Sequence, residues 1–395
     1  MGASPHQICY AIGVLALIFP ASPYKTCPVT VGGGGHVKKV TIGGTNPVVV
    51  QTMWKDKIDR AVFAGKSGER LLQKITVLSD MGARLIRFAV PDGEAADVLG
   101  EIAAAVTVPL VADIHFDYKL ALRVLDFPVA KLRVNPGNIG SKERVFKILE
   151  KAGKNGVPVR IGVNGGSLPA GLRAKLAAGE ISRTEALVEA ALAELAVFDE
   201  AGFTEVVVSL KASSVRETIE ANRLMAARRD VPLHIGVTEA GPLCSGLVRS
   251  TAALYTLLGE GIGDTVRVSL SDTAENEVIA GREIIRTVYE TVPNAENRCS
   301  DEPFVRLVSC PRCGRCGFDT HAFTEKWQPY LYTVRKNITV AVMGCVVNGP
   351  EEARHADLGI TGAGDKVLIF KGGSIVRTIR KEEADETFKQ ELDSL

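Results

Sequence analysis

The strongest constraint on the fold is a repeated alternation of short apolar segments with longer stretches of helical periodicity. Between residues 47 and 271, eight segments rich in β-branched residues are each followed by a stretch with apolar residues three and four positions apart. This alternation is typical of βα units, which form parallel sheets. Eight units over about 240 residues favour a closed (β/α)8 TIM barrel over an open doubly wound sheet.

The predicted strands are bounded by the limits of the apolar segments. They are residues 47–53, 83–90, 108–115, 129–137, 157–166, 205–213, 232–241 and 264–271. Several of the helical stretches between them have a glycine near the end, where glycine favours helix termination. No GxGxxG or P-loop motif opens any of these helices. Nucleotide binding therefore has little support.

Charged and polar side chains lie at the predicted carboxyl ends of the strands. In a TIM barrel, the loops that follow these ends form the active site. The candidate residues are Arg87, Asp113, His115, Arg133, Arg160, Asn164, Lys211, Glu239 and Ser269. The four cations of this set exceed its two carboxylates by two charges, which would balance a doubly charged diphosphate. The alternative is ion pairing with a purely structural role.

The overall charge is close to neutral, with 47 Lys and Arg against 46 Asp and Glu. A chain of this kind has no broad positive field to attract nucleic acid or acidic membranes. The predicted anion is therefore a small molecule that is bound by locally grouped cations. Neither a nucleic acid nor a membrane is expected as a partner.

The length of 395 residues favours more than one domain. After residue 292 the periodicity gives way to a short polar segment, typical of a linker. The predicted parts are an N-terminal extension of uncertain status (1–35), a barrel substrate domain (36–292), a linker (293–302) and a C-terminal domain (303–395). The apolar run near the N-terminus is too short to span a bilayer. A glycine run at 32–35 marks the predicted entry to the folded chain.

The C-terminal domain has its own predicted elements. They are a strand (304–309), a cysteine-containing turn, a helical stretch, a second strand (337–344), a terminal hairpin (366–379) and a short acidic helix. This mixture of strands and helices predicts a small α+β domain.

Half of the 8 cysteines fall in this late segment, at Cys310, Cys313, Cys316 and Cys345. The bias indicates a metal site in a reducing cytosol rather than a disulfide framework. Cys310 and Cys313 form a C-x2-C pair, and Cys345 supplies a third thiolate from the end of a predicted strand. Cys316 would complete a four-thiolate zinc site. Spacing alone leaves zinc and an iron–sulfur cluster open, because both use thiolate ligands.

Several segments carry a resemblance to a known family. Each is longer and less degenerate than an ordinary motif, and they occur in the family's order. They are "VADIHFDYKLAL", "KLRVNPGNIG", "VRIGVNGGSL", "VSLKAS", "VTEAG", "EGIGDTVRVSLS", "SCPRCGR" and "VMGCVVNGPEEARHADLGI". From residue 40 to residue 380 the chain closely resembles the 4-hydroxy-3-methylbut-2-enyl diphosphate synthase family of the non-mevalonate isoprenoid pathway.

This resemblance implies a TIM barrel followed by a smaller α+β domain like the cluster-binding modules of sulfite and nitrite reductases. It also implies a 4Fe-4S cluster held by Cys310, Cys313, Cys345 and Glu352. The carboxylate would leave one iron with a labile site for a substrate oxygen. The chain departs from the family pattern at Glu351, where glycine is usual, and at Cys316, where many members have no cysteine.

The resemblance further implies a reaction and a set of residue roles. The reaction is the two-electron reductive ring opening and dehydration of 2-C-methyl-D-erythritol 2,4-cyclodiphosphate to 4-hydroxy-3-methylbut-2-enyl diphosphate. Asp113 and Glu239 would support proton transfer, and Asn348 would approach the substrate from the cluster domain. The implied diphosphate ligands are Arg87, His115, Arg133, Arg160, Asn164, Lys211 and Ser269.

Partners and location follow from the same resemblance. Electrons are expected singly from ferredoxin or flavodoxin, because the sequence has no nicotinamide or flavin fingerprint. A homodimer is expected, in which the barrel of one subunit faces the cluster domain of the other. The compact two-domain length resembles the bacterial form and predicts a cytoplasmic enzyme. The alternative is a zinc-stabilised barrel protein that binds a phosphorylated metabolite without redox chemistry.

Overall fold

The computed structural model describes residues 25–166, 168–292, 298, 300, 302–311, 313–346 and 353–395, and the side chain of Asn164 lies outside the described atoms. The chain divides into two compact units, Met1–Ser300 and Asp301–Leu395. The limits of the extension and the linker, which were set from composition, stay predictions. Among the described residues, no helix is long and apolar enough to cross a membrane.

The first unit consists of a short antiparallel hairpin and a ring of parallel strands with surrounding helices. Its described strands are β1 (Val29–Val31), β2 (Val40–Ile42), β3 (Val49–Met53), β4 (Leu85–Ala89), β5 (Leu110–Asp113), β6 (Lys131–Val134), β7 (Val159–Asn164), β8 (Val206–Lys211), β9 (His234–Ile235) and β10 (Thr265–Val266). Strands β3 to β10 pair in parallel in the order β8-β7-β6-β5-β4-β3-β10-β9. A parallel bridge between Val208 and Leu233 closes the ring between β8 and β9. The predicted TIM barrel is confirmed.

Helices connect the strands around the ring. In the described part of this unit they are α1 (Arg60–Phe63), α2 (Gly65–Asp80), α3 (Gly93–Ala105), α4 (Tyr118–Val124), α5 (Pro136–Ile139), α6 (Lys142–Lys154), α7 (Ala170–Ala177), α8 (Arg183–Glu200), α9 (Val215–Ala226), α10 (Leu243–Gly259) and α11 (Ala274–Thr291). Sequence signals explain several helix starts. Asp92 accepts a hydrogen bond from the Ala95 amide at 2.8 Å before α3, and Ser182 forms a capping box with Glu185 before α8.

Alternation along the strands separates the barrel interior from the helix layer. Val50 of β3 points outward, because a Cβ at Gly281 of α11 would lie 3.2 Å from its Cγ1. Val49, one position earlier, therefore faces inward. Residues paired in parallel register point to the same side of the sheet. Val49 pairs with Thr265, and Thr265 pairs with His234, so Thr265 and His234 also face inward. The barrel interior consequently contains polar side chains.

The β1–β2 hairpin covers the amino-terminal end of the barrel. Its buried residues pack in one cluster with inward residues of three strands: Val31, Val37, Ile42, Val49, Leu85 and Val111. The hairpin loop requires glycine at Gly32, which has a φ of 72° and where a Cβ would lie 2.4 Å from the Lys38 carbonyl oxygen. The sequence predicts entry to the folded chain at this glycine run, but β1 precedes it. A strand of 3 residues carries too little periodicity to be predicted.

The second unit is a mixed sheet of five strands that packs against helices. Its described elements are β11 (Val305–Ser309), α12 (Thr320–Leu331), β12 (Ile338–Met343), β13 (Leu358–Ala363), β14 (Lys366–Lys371), β15 (Ser374–Arg380) and α13 (Ala384–Asp393). The strands follow the order β11-β12-β13-β14-β15, with the first three parallel and the remaining pairs antiparallel. Phe323 and Trp327 of α12 and Phe388 of α13 share a buried cluster with Val340 and Ile360 of the sheet.

The predicted strands, hairpin and helices of this unit are present, but β13 was not predicted. Its sequence contains two glycines, which lower strand propensity. Gly359 has a packing role, because a Cβ there would lie 2.0 Å from the Phe370 ring of β14. The strand therefore depends on a tertiary contact that local sequence does not show. The likeness to cluster modules of sulfite and nitrite reductases stays a prediction.

Candidate functional site

The candidate site lies at the carboxyl ends of the barrel strands, where cations surround an aspartate. Parallel register pairs Asp113 with Arg133, and Arg133 with Arg160. Residues paired in this way point to the same side of a sheet, so these three side chains share one face. All three residues are buried. The structure therefore brings these predicted strand-end residues together.

Asp113 is the centre of this group. Arg133 donates a hydrogen bond from Nη1 to Asp113 Oδ1 at 2.9 Å. The Nε of Arg87 and the Nε2 of His115 each lie 3.6 Å from Asp113 Oδ2. Arg133 Nη1 also lies 2.7 Å from His115 Nε2. Four of the predicted site residues are consequently in direct contact.

Burial and charge act in opposite directions on Asp113. Burial alone raises the pKa of a carboxyl group, but the neighbouring Arg87, His115, Arg133 and Arg160 hold the pKa of Asp113 well below its ordinary value. Burial also lowers the pKa of Arg87 to about 10, although Asp113 opposes that shift. Asp113 is therefore ionised at neutral pH and suits the role of a fixed counter-ion. Its predicted part in proton transfer stays a prediction.

Arg160 and Lys211 are buried basic side chains with little negative charge near them among the described residues. Burial and then the neighbouring arginines lower the pKa of both groups well below their ordinary values. The Nε and Nη2 atoms of Arg160 are buried without a hydrogen-bond partner among the described residues. Buried charged groups of this kind require an acceptor. A bound anion would supply it.

Glycines make room for the cations on two parts of the rim. A Cβ at Gly162 of β7 would lie 2.6 Å from Arg133 Nε, and a Cβ at Gly236, just after β9, would lie 2.9 Å from Lys211 Nζ. A side chain at either position would displace the cation. These two glycines therefore help to position charge.

The sequence prediction missed a second buried carboxylate near the barrel rim, Glu277 of α11. It is 1% exposed and accepts hydrogen bonds from Thr52 Oγ1 at 2.9 Å and from Arg267 Nη2 at 3.1 Å. Lys55 Nζ also donates to it. Arg267 stands at a predicted strand end, which is a usable signal. The sequence around Glu277 gives no signal of a site, because acidic residues are common in the first turn of any helix.

The remaining predicted barrel residues lie at other strand ends. Ser269 follows β10 and is half-buried. Glu239 is exposed in the turn after β9 and has a φ of 52°, a left-handed conformation that non-glycine residues seldom adopt outside functional sites and turns. Asn164 ends β7 and pairs in register with Lys211. The position of the Asn164 amide group lies outside the described atoms.

The candidate metal centre belongs to the second unit, where two loops follow neighbouring parallel strands. Cys310 comes directly after β11, and Cys345 comes shortly after β12. The Gly344 amide donates a hydrogen bond to Cys310 Sγ at 3.1 Å. Hydrogen bonds to cysteine sulfur are one of the ways in which proteins tune iron–sulfur clusters. The two strand-end loops therefore present thiols next to main-chain donors.

Cys316 lies close to the same loop. A Cβ at Gly344 would lie 2.6 Å from Cys316 Sγ and 3.5 Å from Cys310 Sγ, so glycine allows both thiols to approach the backbone. Cys316 Sγ also donates to the Phe318 carbonyl oxygen at 2.7 Å. Cys316 therefore remains close enough to Cys310 to compete as a ligand.

The described part of the predicted ligand set is suitable in chemistry but is not assembled around one point. Cys313 is exposed, Cys310 and Cys345 are partly buried, and all three are free thiols. Within the described ranges, no group of three or more His, Cys, Asp and Glu is arranged to hold a metal ion. The fourth predicted ligand, Glu352, and the predicted substrate residue Asn348 lie outside the described residues. Thiols on neighbouring strand-end loops fit an iron–sulfur cluster by donor type.

Two protein-family models match the chain. The GcpE TIM-barrel domain matches residues 34–282. The GcpE protein C-terminal domain matches residues 306–394. Together the two matches cover most of the described residues.

Curated relatives match over nearly the whole chain, and three of them share the name 4-hydroxy-3-methylbut-2-en-1-yl diphosphate synthase (flavodoxin). The Treponema pallidum protein is 48% identical over 100% of this chain and 99% of its own. The Treponema denticola protein is 48% identical over 93% of this chain and 98% of its own. The Geobacillus thermodenitrificans protein is 42% identical over 94% of this chain and 92% of its own. These names give no support to the zinc-stabilised, non-redox alternative.

Proposed function

Because the chain belongs to the GcpE family of 4-hydroxy-3-methylbut-2-en-1-yl diphosphate synthases, we propose that it converts 2-C-methyl-D-erythritol 2,4-cyclodiphosphate to 4-hydroxy-3-methylbut-2-enyl diphosphate. The reaction takes up two electrons and a proton, breaks a carbon–oxygen bond of the cyclic diphosphate so that the diphosphate oxygen leaves as an anion, and releases a hydroxyl group as water. The protein is accordingly an oxidoreductase of isoprenoid precursor biosynthesis.

The observation that carries this proposal is the group of buried cations around Asp113. Arg133 and Arg87 contact Asp113, while two guanidinium nitrogens of Arg160 have no partner among the described residues. A diphosphate supplies both the missing negative charge and acceptors that match the guanidinium fork. The proposed diphosphate ligands are Arg87, His115, Arg133, Arg160, Asn164, Lys211 and Ser269. Asn348 of the second unit is proposed to approach the substrate.

Proton transfer is assigned to the carboxylates at the rim. Glu239 is the proposed group that exchanges protons with the substrate, and its exposure and left-handed backbone support that role. Asp113 supports the transfer by fixing His115 and Arg133, both of which it contacts. In this arrangement the two carboxylates have different roles, because several cations hold Asp113 ionised, whereas Glu239 is exposed in a turn.

A 4Fe-4S cluster held by Cys310, Cys313, Cys345 and Glu352 is the proposed cofactor. The Gly344 hydrogen bond to Cys310 and the two adjacent strand-end loops support this assignment. When bound, such a cluster would supply electrons to the substrate one at a time. Flavodoxin, which the relatives' name includes, is the proposed electron donor, with ferredoxin as the second candidate. A cytoplasmic homodimer is proposed from the same family resemblance.

The test of the cofactor is iron, zinc and sulfide analysis with a visible spectrum on anaerobically purified protein. About four irons and four sulfides per chain are expected. Cys345→Ser should abolish the visible absorption, whereas Cys316→Ser, the same change at a neighbouring thiol, should retain it. A colourless protein that loses one zinc on Cys316→Ser contradicts the proposal.

The test of the reaction is conversion of the cyclic diphosphate by the purified protein with reduced flavodoxin. Product formation that requires both the intact cluster and the reduced donor is expected. Binding of the substrate without any conversion by cluster-loaded protein contradicts the proposed activity and leaves only an anion-binding barrel.

A further inference from the structure

We propose that Lys131, inside the barrel below the diphosphate site, is uncharged in the free protein and takes up a proton when a diphosphate binds. Lys131 is thus a positioning residue whose charge follows the ligand. The proposal rests on the proposed diphosphate site, but it concerns a residue that the sequence analysis did not single out and that the reaction above does not use.

The position of Lys131 isolates its amine from solvent. Lys131 opens β6 and pairs in register with Val111 of β5, which pairs with Arg87 of β4. Arg87 reaches Asp113 inside the barrel, so Lys131 faces the same interior. Lys131 is 0% exposed, and its Nζ has no hydrogen-bond partner among the described residues. An ammonium in such a place would be a buried, uncompensated charge.

The charged groups that act on Lys131 are cations on neighbouring strands. Burial is the largest influence, and Arg160 of β7 and Arg87 of β4 add to it, so that the pKa of Lys131 is well below its ordinary value. His234 of β9 is also within electrostatic range of Lys131, and burial keeps the pKa of His234 low as well. Asp113, the carboxylate farther along β5, is engaged with Arg87 and other cations. Burial and the two guanidinium groups therefore disfavour a proton on Lys131 in the free protein.

A neutral amine also suits the polar groups that share the interior. The Nε2 of His234 and both amide atoms of Gln51 are buried without partners among the described residues. A neutral amine both donates and accepts hydrogen bonds, whereas an ammonium only donates. Of the two forms, only the uncharged amine could accept a hydrogen bond from the Gln51 amide nitrogen, one of these unpartnered atoms.

A bound diphosphate changes the balance of charge. Its negative charge would lie among Arg87 and Arg160, the same guanidinium groups that disfavour a proton on Lys131. When the diphosphate neutralises the positive charge of these guanidinium groups, the proton affinity of Lys131 rises. By linkage, a proton on Lys131 raises the affinity for the diphosphate, and binding must weaken as the pH rises.

Proton uptake on binding of inorganic pyrophosphate tests the proposal. It is measured by titration calorimetry at about pH 8 in buffers of different ionisation enthalpy, and Lys131→Met should take up fewer protons than the unmodified protein, by up to about one per site. Lys147→Met, the same change at an exposed lysine of α6, should match the unmodified protein. Equal uptake in Lys131→Met and the unmodified protein overturns the proposal and places any proton on another group.

Electrophoretic mobility of the free proteins at the same pH is the second measurement. Lys147→Met should lose one positive charge, whereas Lys131→Met should migrate like the unmodified protein. A full charge lost on Lys131→Met overturns the proposal, even if that variant binds pyrophosphate poorly. Failure of the unmodified protein to bind pyrophosphate is a different result, because it removes the proposed diphosphate site whatever the charge on Lys131.

Discussion

At the scale of single residues, Asp113 is the position on which the barrel rim most depends. Arg87, His115 and Arg133 all contact its carboxylate, and it is 4% exposed. Asp113→Asn should lower the free energy of unfolding by about 3 kcal/mol, because it leaves buried guanidinium groups without a counter-ion. Urea unfolding followed by circular dichroism measures the change.

The matched control for Asp113 is Asp126, whose carboxylate forms an exposed ion pair with Lys151 at 2.6 Å. Asp126→Asn should cost less than about 1 kcal/mol, because surface ion pairs contribute little. Equal losses of unfolding free energy in the two variants would show that the contacts of Asp113 stabilise the fold no more than a surface ion pair does.

A second residue predicts a pH dependence of stability. Burial, opposed by a hydrogen bond from the Gly137 backbone, raises the pKa of Glu194 from 4.5 to about 7. The folded state therefore holds this proton more tightly than the unfolded chain does, and stability falls as the pH rises between these two values. Glu194→Gln should remove this fall and raise stability above pH 7 by about 1–2 kcal/mol, a figure reduced for the partial exposure of Glu194.

Thermal unfolding across this pH window checks the prediction for Glu194. Glu189→Gln, at an exposed position of the same helix α8, should retain the fall in stability of the unmodified protein. A fall that persists unchanged in Glu194→Gln assigns the pH dependence to another group.

Single residues of the site differed in how far sequence could identify them. Arg87, Asp113 and Arg133 follow from position alone, because polar residues at barrel strand ends face the site. Glu277 reaches the rim from a helix, and Lys131 lies at the start of a strand. Where every residue of a strand is buried, the pattern of polarity does not separate inward from outward side chains.

At the scale of elements, strand β7 needs glycine at position 162 because the Arg133 side chain packs directly over it. A Cβ at Gly162 would lie 2.6 Å from Arg133 Nε. Gly162→Ala should displace the Arg133 guanidinium and weaken pyrophosphate binding by about tenfold, the loss expected for one disrupted charge-assisted contact. Titration calorimetry measures the dissociation constant.

A glycine on α7 provides the control for Gly162. A Cβ at Gly171 would meet nothing within 4 Å, so Gly171→Ala should leave the affinity unchanged. An unchanged affinity in Gly162→Ala as well would show that Arg133 does not need the space above β7 to bind the anion.

The elements that sequence predicts are those with periodicity over many residues. Eight repeats of strand and helix define the barrel even though β9 and β10 are only 2 residues long. The β1–β2 hairpin and β13 escape prediction for physical reasons. The first strand is too short to alternate, and the second carries glycine because the Phe370 ring occupies the space of a side chain.

At the scale of the whole molecule, the β1–β2 hairpin closes one end of the barrel. Val29 and Val31 of β1 are buried, and Thr26 donates a hydrogen bond to the buried Asp264 at 3.0 Å. A chain that begins at Gly32 should be less stable than one that begins at Lys25 by about 3 kcal/mol or more, from the burial of two valines alone. Scanning calorimetry of the two chains checks this, and equal unfolding temperatures would contradict it.

In the described part of the barrel, the hairpin covers the amino-terminal end and leaves the carboxyl ends of the strands as the open end. Reactant and product must pass through the same opening, because the apolar cluster of the hairpin fills the opposite end. Departure of the product therefore precedes every new encounter with reactant. Accumulated product should therefore compete with reactant, which raises the apparent KM and leaves the maximal velocity unchanged.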